Sequence, residues 1–270
     1  MLCQAVREST YGRPGACYID ISGDMVGAKV QESEVRYVQA CPPPPLTYAD
    51  PNDIKKAVEL ITVAEKPLVI IGKGASYAQA EEPLTTLVES TNLPFLPTPM
   101  GKGVLPDSHP LCVAAARSRA LQEADLIVLF GARLNWILHF GAPPRFNPNV
   151  KIIQVDIKVE EMGNNLLPAV ALPGDITAVV TQMNEEFLLR SNRFKFSPHS
   201  SWWRTLSKKL ADNQQNVEEM CNDQTVPLNY YAAYSEVQKA IPKDCIIVNE
   251  GSNTMDIGRT MLPNILPRHR

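Results

Sequence analysis

The sequence predicts a doubly wound α/β domain with a parallel sheet, and three observations carry that prediction. Short all-apolar runs recur through the middle of the chain, the first and third run directly into glycine-bearing turns, and segments with apolar residues at helical spacing lie between them. Strands buried on both faces read as continuous apolar runs, and their alternation with amphipathic helices implies a parallel sheet covered on both sides.

The elements follow in order. Asp50-Pro51 has the form of a helix N-cap and first helical residue, and Ile54, Ala57, Val58 and Ile61 line one face of the helix they open. A strand over 68–71 ends in Gly72-Lys73-Gly74-Ala75, and a helix over 77–90 and a strand over 94–97 come next. A helix over 112–123 then leads to a strand over 125–130, a Gly- and Pro-rich loop, and a strand over 151–155 that ends on Asp156. Gly174-Asp175 introduces a helix in which Ile176, Val179, Val180, Met183 and Phe187 share a face.

The flanks are less regular. Gly12-Arg13-Pro14-Gly15 is a turn leading to a strand of alternating character over 16–21. Cys41-Pro42-Pro43-Pro44-Pro45 favours polyproline geometry, which makes 25–49 a linker. Residues 191–228 are polar and form a second linker, with an exposed helix around 202–210 whose Trp202-Trp203 pair is a docking face. A new unit starts at Asn229 with a helix carrying Tyr230, Ala233, Tyr234, Val237 and Ile241, followed by a strand over 245–248.

Composition excludes several functions. A chain of 270 residues, 44% hydrophobic and 20% charged, is ordinary for a globular protein. Its net charge of −3 and the lack of any long basic run argue against nucleic acid as a partner. No apolar stretch approaches the ~20 residues that cross a bilayer, so no membrane span is expected. The six cysteines form no C-x-x-C pair, which fits free thiols and no structural metal. His109, His139, His199 and His269 are scattered, with no partner at metal or triad spacing.

In an open parallel sheet, ligands bind beyond the carboxyl ends of the strands. Gly72 and Gly74 would let a phosphate approach the backbone, with Lys73 adding charge; Gly131-Ala132-Arg133 and Asp156 stand at the same edge. Position 77 is tyrosine, so the dinucleotide fingerprint G-x-G-x-x-G is not met, and a tight turn explains the same glycines.

Six collinear segments go further: Gly12-Arg13-Pro14-Gly15, Ile70-Ile71-Gly72-Lys73-Gly74-Ala75, Met100-Gly101-Lys102-Gly103, Ala115-Ala116-Arg117-Ser118, Gly131-Ala132-Arg133-Leu134-Asn135-Trp136 and Val248-Asn249-Glu250-Gly251. Together they resemble the thiamine-diphosphate-dependent enzymes, and among these the 2-hydroxyacyl-CoA lyases, with the oxalyl-CoA decarboxylases next. The resemblance implies the tail of a pyrimidine-binding domain over 1–24, a central nucleotide- and CoA-binding domain over 50–190, and the start of a diphosphate-binding domain over 229–270, so that the flanking domains are incomplete. It implies an ADP site made by Arg13, Lys73, Arg133, Asp156 and Ile176. Coenzyme A would lie near Ala116, Arg117, Ser118 and Asn229, although asparagine before an amphipathic helix is also a favoured N-cap. Glu250, Gly251 and Ser252 would approach thiamine diphosphate, although a turn after a strand accounts for them equally.

The family's ylid-generating glutamate would lie upstream of Met1, and its magnesium-binding Gly-Asp-Gly does not occur. No catalytic or metal-binding residue is therefore expected in this chain. The resemblance implies an acyl-CoA substrate, cleavage of 2-hydroxyacyl-CoA to formyl-CoA and a shortened aldehyde, a homo-oligomer for the complete enzyme, and a peroxisomal location, with the cytoplasm as the alternative because the closing Pro267-Arg268-His269-Arg270 is no Ser-Lys-Leu type address. Two other expectations stand beside it: a truncated, non-catalytic binding module, and an oxalyl-CoA decarboxylase.

Overall fold

The computed structural model describes residues 1–190 and 193–270, which form two compact units, Met1–Leu46 and Thr47–Arg270. The linker expected to begin at Ser191 thus has its first two residues outside the described ones.

In the first unit, α1 spans Leu2–Thr10 and α2 spans Gly23–Val26, with a 3-10 turn at Glu32–Glu34. No residue in it is buried. The strand expected over 16–21 does not form: the segment has no ladder partner and Tyr18 is 92% exposed. Alternation alone cannot make a strand, because its N–H and C=O groups need a neighbour. The proline run has no regular structure, and Pro42 O accepts a 3.1 Å hydrogen bond from the Tyr11 hydroxyl.

The second unit is built on a five-stranded parallel sheet in the order β2-β1-β3-β4-β5. Its strands are β1 (Pro67–Ile71), β2 (Phe95–Pro97), β3 (Leu126–Phe130), β4 (Lys151–Asp156) and β5 (Val170–Pro173). β1 and β3 are buried along their whole length, as their unbroken apolar runs require. The predicted α/β architecture is the one observed.

Helix α3 (Pro51–Val63) starts where Asp50 accepts the Asn52 amide at 2.7 Å, and it buries Ile54, Ala57, Val58 and Ile61. The helix expected over 77–90 is instead two: α4 (Lys73–Tyr77), a break in which Gln79 takes φ +54°, and α5 (Glu81–Thr91). The helix expected over 112–123 is shortened to a 3-10 turn at Ala114–Ala116 and α6 (Arg117–Glu123), because the chain around Cys112 is committed to β2: Phe95 N donates to Leu111 O and Val113 N to Phe95 O. Helix α7 (Ile176–Leu189) is capped by Asp175, which accepts the Ala178 amide at 3.0 Å.

Helix α8 (Ser201–Asn222) is longer than expected, and its tryptophans are not exposed. Trp202 is fully buried and donates to Pro67 O at 2.9 Å, while Trp203 donates to Asn92 O at 3.3 Å. Helices α9 (Tyr230–Ala240) and α10 (Ser252–Met261) follow. The strand expected over 245–248 does not form: Ile247 N donates to His269 O, but Val248 is 86% exposed and no neighbouring strand completes a ladder.

Replacing Trp202 with alanine removes a large core side chain and orphans a carbonyl at the start of β1. We expect a loss of about 3–5 kcal/mol in urea unfolding. A loss below about 1 kcal/mol would show that α8 does not hold the sheet.

Candidate functional site

Because β2 and β3 lie on opposite sides of β1, the chain reverses its direction of winding there, and the carboxyl ends of β1 and β3 flank a switch point. The turns leaving these strands are in backbone contact. Gly72 N donates to Phe130 O at 2.8 Å and Gly74 N to Gly131 O at 3.0 Å. A methyl group on Gly72 would stand 2.2 Å from Gly131 O, and one on Gly131 would stand 2.5 Å from Gly74 Cα. Gly131 also has φ +61°. The glycines are thus required for close approach, but what approaches is the neighbouring turn, and both amides are already engaged.

The cations beside these glycines reach outward. Lys73 opens α4, is exposed, and holds its ammonium 4.8 Å from the centre of the Tyr77 ring. Arg133 is 53% exposed, and its guanidinium lies 3.8 Å from the Glu161 carboxylate. A surface pair of that length contributes ~0–1 kcal/mol, so Arg133 can turn to an incoming anion at little cost.

Asp156 ends β4, is buried, and accepts the Lys158 amide at 2.9 Å. Ile176, the first residue of α7, directs its Cδ1 towards the Gly74 and Gly131 backbone and closes the crevice from below. The structure therefore brings Lys73, Arg133, Asp156 and Ile176 to one edge. Arg13 belongs to the first unit, half-buried in the bend after α1, and is described with that unit alone.

Around the start of α6, Ala116 is buried, Ser118 is exposed, and Arg117 donates to Ile137 O. Burial, then Arg259, and further Arg145, bring the Arg117 guanidinium down to about 10, with Asp256 opposing them. Burial and the same three arginines hold His139 below its ordinary value. His139 and Phe140 both have positive φ, +49° and +56°, a strained pair of the kind that gathers at binding sites. Sequence reasoning missed Arg145 and Arg259 and set His139 aside, because none of them stands at a motif spacing from Arg117.

Asn229 accepts the Ala232 amide at 2.9 Å and donates to Met220 O at 2.9 Å, so its side chain joins the end of α8 to the start of α9. Glu250 and Gly251 are exposed and Ser252 opens α10. They follow an irregular segment and not the strand end that was expected.

Comparison with known proteins agrees with the architecture. Residues 54–183 match the family "Thiamine pyrophosphate enzyme, central domain". Residues 54–183 are thus similar to the central domain of the thiamine pyrophosphate enzymes. Its similarity to 2-hydroxyacyl-CoA lyase 1 of Homo sapiens is 55% identity over 267 residues, covering 99% of this chain and 46% of that protein. The 2-hydroxyacyl-CoA lyase of Arabidopsis thaliana is 39% identical over 96% of this chain and 46% of its own length. Oxalyl-CoA decarboxylase of Escherichia coli (strain K12) is 38% identical over 100% of this chain and 48% of its own length. The chain spans about half the length of the curated relatives it matches. Within residues 54–183, the β1/β3 glycine contact is the feature that positions Lys73 and Arg133.

Gly131→Ala combines a left-handed backbone with a backbone clash. We expect about 2–4 kcal/mol of destabilisation by chemical denaturation. A variant as stable as the parent would mean that the two turns separate freely.

Proposed function

We propose that these residues form the nucleotide- and coenzyme-A-binding part of a thiamine-diphosphate-dependent carbon–carbon lyase, which cleaves 2-hydroxyacyl-CoA to formyl-CoA and a shortened aldehyde. The observation that carries the proposal is the pair of outward cations, Lys73 and Arg133, set on two turns fused at a switch point. Two cations beside a rigid crevice suit a diphosphate, and Asp156 at the end of β4 suits a ribose hydroxyl. We assign the ADP site of the second unit to Lys73, Arg133, Asp156 and Ile176, while Arg13, in the first unit, stays an expectation of the family resemblance. We assign the coenzyme A phosphates to the surroundings of Arg117, where Arg145 and Arg259 add positive charge against a single opposing Asp256.

Thiamine diphosphate supplies the carbon–carbon bond cleavage in such enzymes, and the protein supplies orientation and electrostatics. Glu250, Gly251 and Ser252 remain the residues assigned to that cofactor. The family's Gly-Asp-Gly does not occur in this sequence, and among the described residues there is no group of three or more His, Cys, Asp or Glu side chains that could hold a metal ion. No step of the reaction is therefore assigned to this chain's residues. A decarboxylase of oxalyl-CoA would use the same thioester site, and the 55% identity to the lyase of Homo sapiens, against 38% to the decarboxylase of Escherichia coli, favours cleavage to an aldehyde. The homo-oligomeric state and the peroxisomal location that the resemblance implies belong to the same proposal. No helix among the described residues is long and apolar enough to cross a membrane.

Calorimetry on the 270-residue chain tests the nucleotide site. ADP or coenzyme A should bind with millimolar or better affinity, and Lys73→Ala with Arg133→Ala should weaken it at least ~10-fold, since each charged contact contributes on the order of 1 kcal/mol or more. Unchanged affinity in the double variant would refute the assignment.

A second test concerns turnover. Loss of one general acid or base typically costs ~10²–10⁴ in rate; the family resemblance puts the ylid-generating glutamate outside these 270 residues, and they contain no Gly-Asp-Gly. Incubated with 2-hydroxyacyl-CoA, thiamine diphosphate and magnesium, it should release no formyl-CoA above a protein-free control by mass spectrometry. Steady release would mean that residues within these 270 activate the cofactor.

A further inference from the structure

Tyr77 stands where the third glycine of a dinucleotide fingerprint would be, counted from Gly72 and Gly74. That glycine ordinarily lets the helix pack closely on the strand. Here the position ends α4, the side chain is 44% exposed, and its ring lies beneath the Lys73 ammonium at 4.8 Å. The two residues are four apart on one helical turn, the spacing at which side chains on the same face meet. A cation within ~6 Å of an aromatic centroid is attracted by the ring's quadrupole.

We propose that Tyr77 is a positioning residue for the nucleotide site, whose ring face holds the Lys73 ammonium at the mouth of the crevice ready for an anionic phosphate. This rests on the assignment of Lys73 to the ADP site. Lysine has among the largest side-chain entropies to lose on being ordered, and a lysine already held over a ring loses less of it when the phosphate arrives. The ammonium has three N–H donors, and a ring face leaves donors available for a phosphate oxygen. Tyrosine at 77 therefore breaks the glycine fingerprint and replaces part of its purpose: a cation held by a ring takes the place of backbone amides, which at Gly72 and Gly74 are bound to Phe130 O and Gly131 O.

The test uses the 270-residue chain with ADP as the probe, in calorimetry of Tyr77→Leu, Tyr77→Phe, Lys73→Ala and the Lys73→Ala/Tyr77→Leu double variant, with thermal melts to confirm folding. An exposed cation–π contact corresponds to about a 2- to 5-fold change in Kd. Tyr77→Leu should weaken ADP by that factor, Tyr77→Phe should restore the parent value because it keeps the ring face, and Tyr77→Leu should add nothing once Lys73 is alanine. Parent-like or tighter binding by Tyr77→Leu overturns the proposal, as does equal weakening by Tyr77→Phe or an effect that persists in the Lys73→Ala background. NMR of the Lys73 ε-methylene supplies a readout without nucleotide: it should be shifted upfield by the ring and return on Tyr77→Leu. An absent ring shift disproves the pairing itself. A ring shift with ADP affinity insensitive to Lys73→Ala instead locates the failure in the nucleotide assignment, and the positioning role falls with it.

Discussion

Past the ends of β1 and β3 the two chains stay in contact for several residues more, with glycine against glycine where any side chain would intervene. Gly72 N and Gly74 N continue the hydrogen bonding beyond the strands onto Phe130 O and Gly131 O, and Gly131 N returns to Val155 O. Everything at the carboxyl edge inherits its position from this seam. Lys73 is covalently next to two of its members and Arg133 is two residues beyond a third, so the backbone of each cation is placed by the seam, while the Lys73 ammonium itself lies over the Tyr77 ring. Ile176 then closes the seam from α7, whose start is fixed by the Asp175 cap.

Most of the central sheet was legible because its physics is local. β1 and β3 are covered on both faces and so contain only apolar residues over 68–71 and 126–130, while Asp50 and Asp175 announce their helices through a side chain that satisfies a free amide. β5 (Val170–Pro173) escaped notice because only Val170 and Leu172 of its four residues are buried, so it lacks the unbroken apolar run that marks β1 and β3. The segments over 16–21 and 245–248 failed in the opposite sense: the first alternates and the second is an apolar run, but a strand is completed by its neighbour, and none among the described residues pairs with them. The paired glycines were recognised as a demand for close approach. Sequence could not say that the approaching group is Gly131, because that contact is made across the sheet.

A second polar arrangement shows the contrast between fixed and available charge. Lys102 and Asp107 form a 2.8 Å pair with side chains only 7% and 12% exposed. The lysine also donates to Arg259 O, and Asp107 accepts the Asn264 amide. Burial pulls Lys102 below its ordinary value while Asp107 works against that shift. A buried pair of this kind is costly to break, since removing one partner leaves a desolvated charge. It ties the chain after α10 to the loop before Asp107 through one carboxylate oxygen, Oδ2, which meets both the Lys102 ammonium and the Asn264 amide, while Oδ1 is buried without a hydrogen-bond partner. Lys73 and Arg133 are the reverse: exposed, held by a ring face and by a long ion pair, and therefore able to exchange those contacts for a ligand.

The surroundings of Arg117 lie between these extremes. Arg117, Arg259 and Arg145 oppose one another there, Asp256 works against them, the arginines hold His139 below its ordinary value, and two consecutive residues, His139 and Phe140, have positive φ. Such a concentration of like charge opposes folding, and it persists because Arg117 is anchored on Ile137 O and the neighbouring chain is held by Asn135, whose side chain accepts the Ile137 amide. In the proposed function the repulsion has a direct use. A phosphate entering the cluster turns each like-charge contact into a screened one, so the binding free energy gains both the new ion pairs and the relief of the old repulsion. Differential stabilisation of this kind distinguishes a site prepared for an anion from a surface that merely happens to be basic.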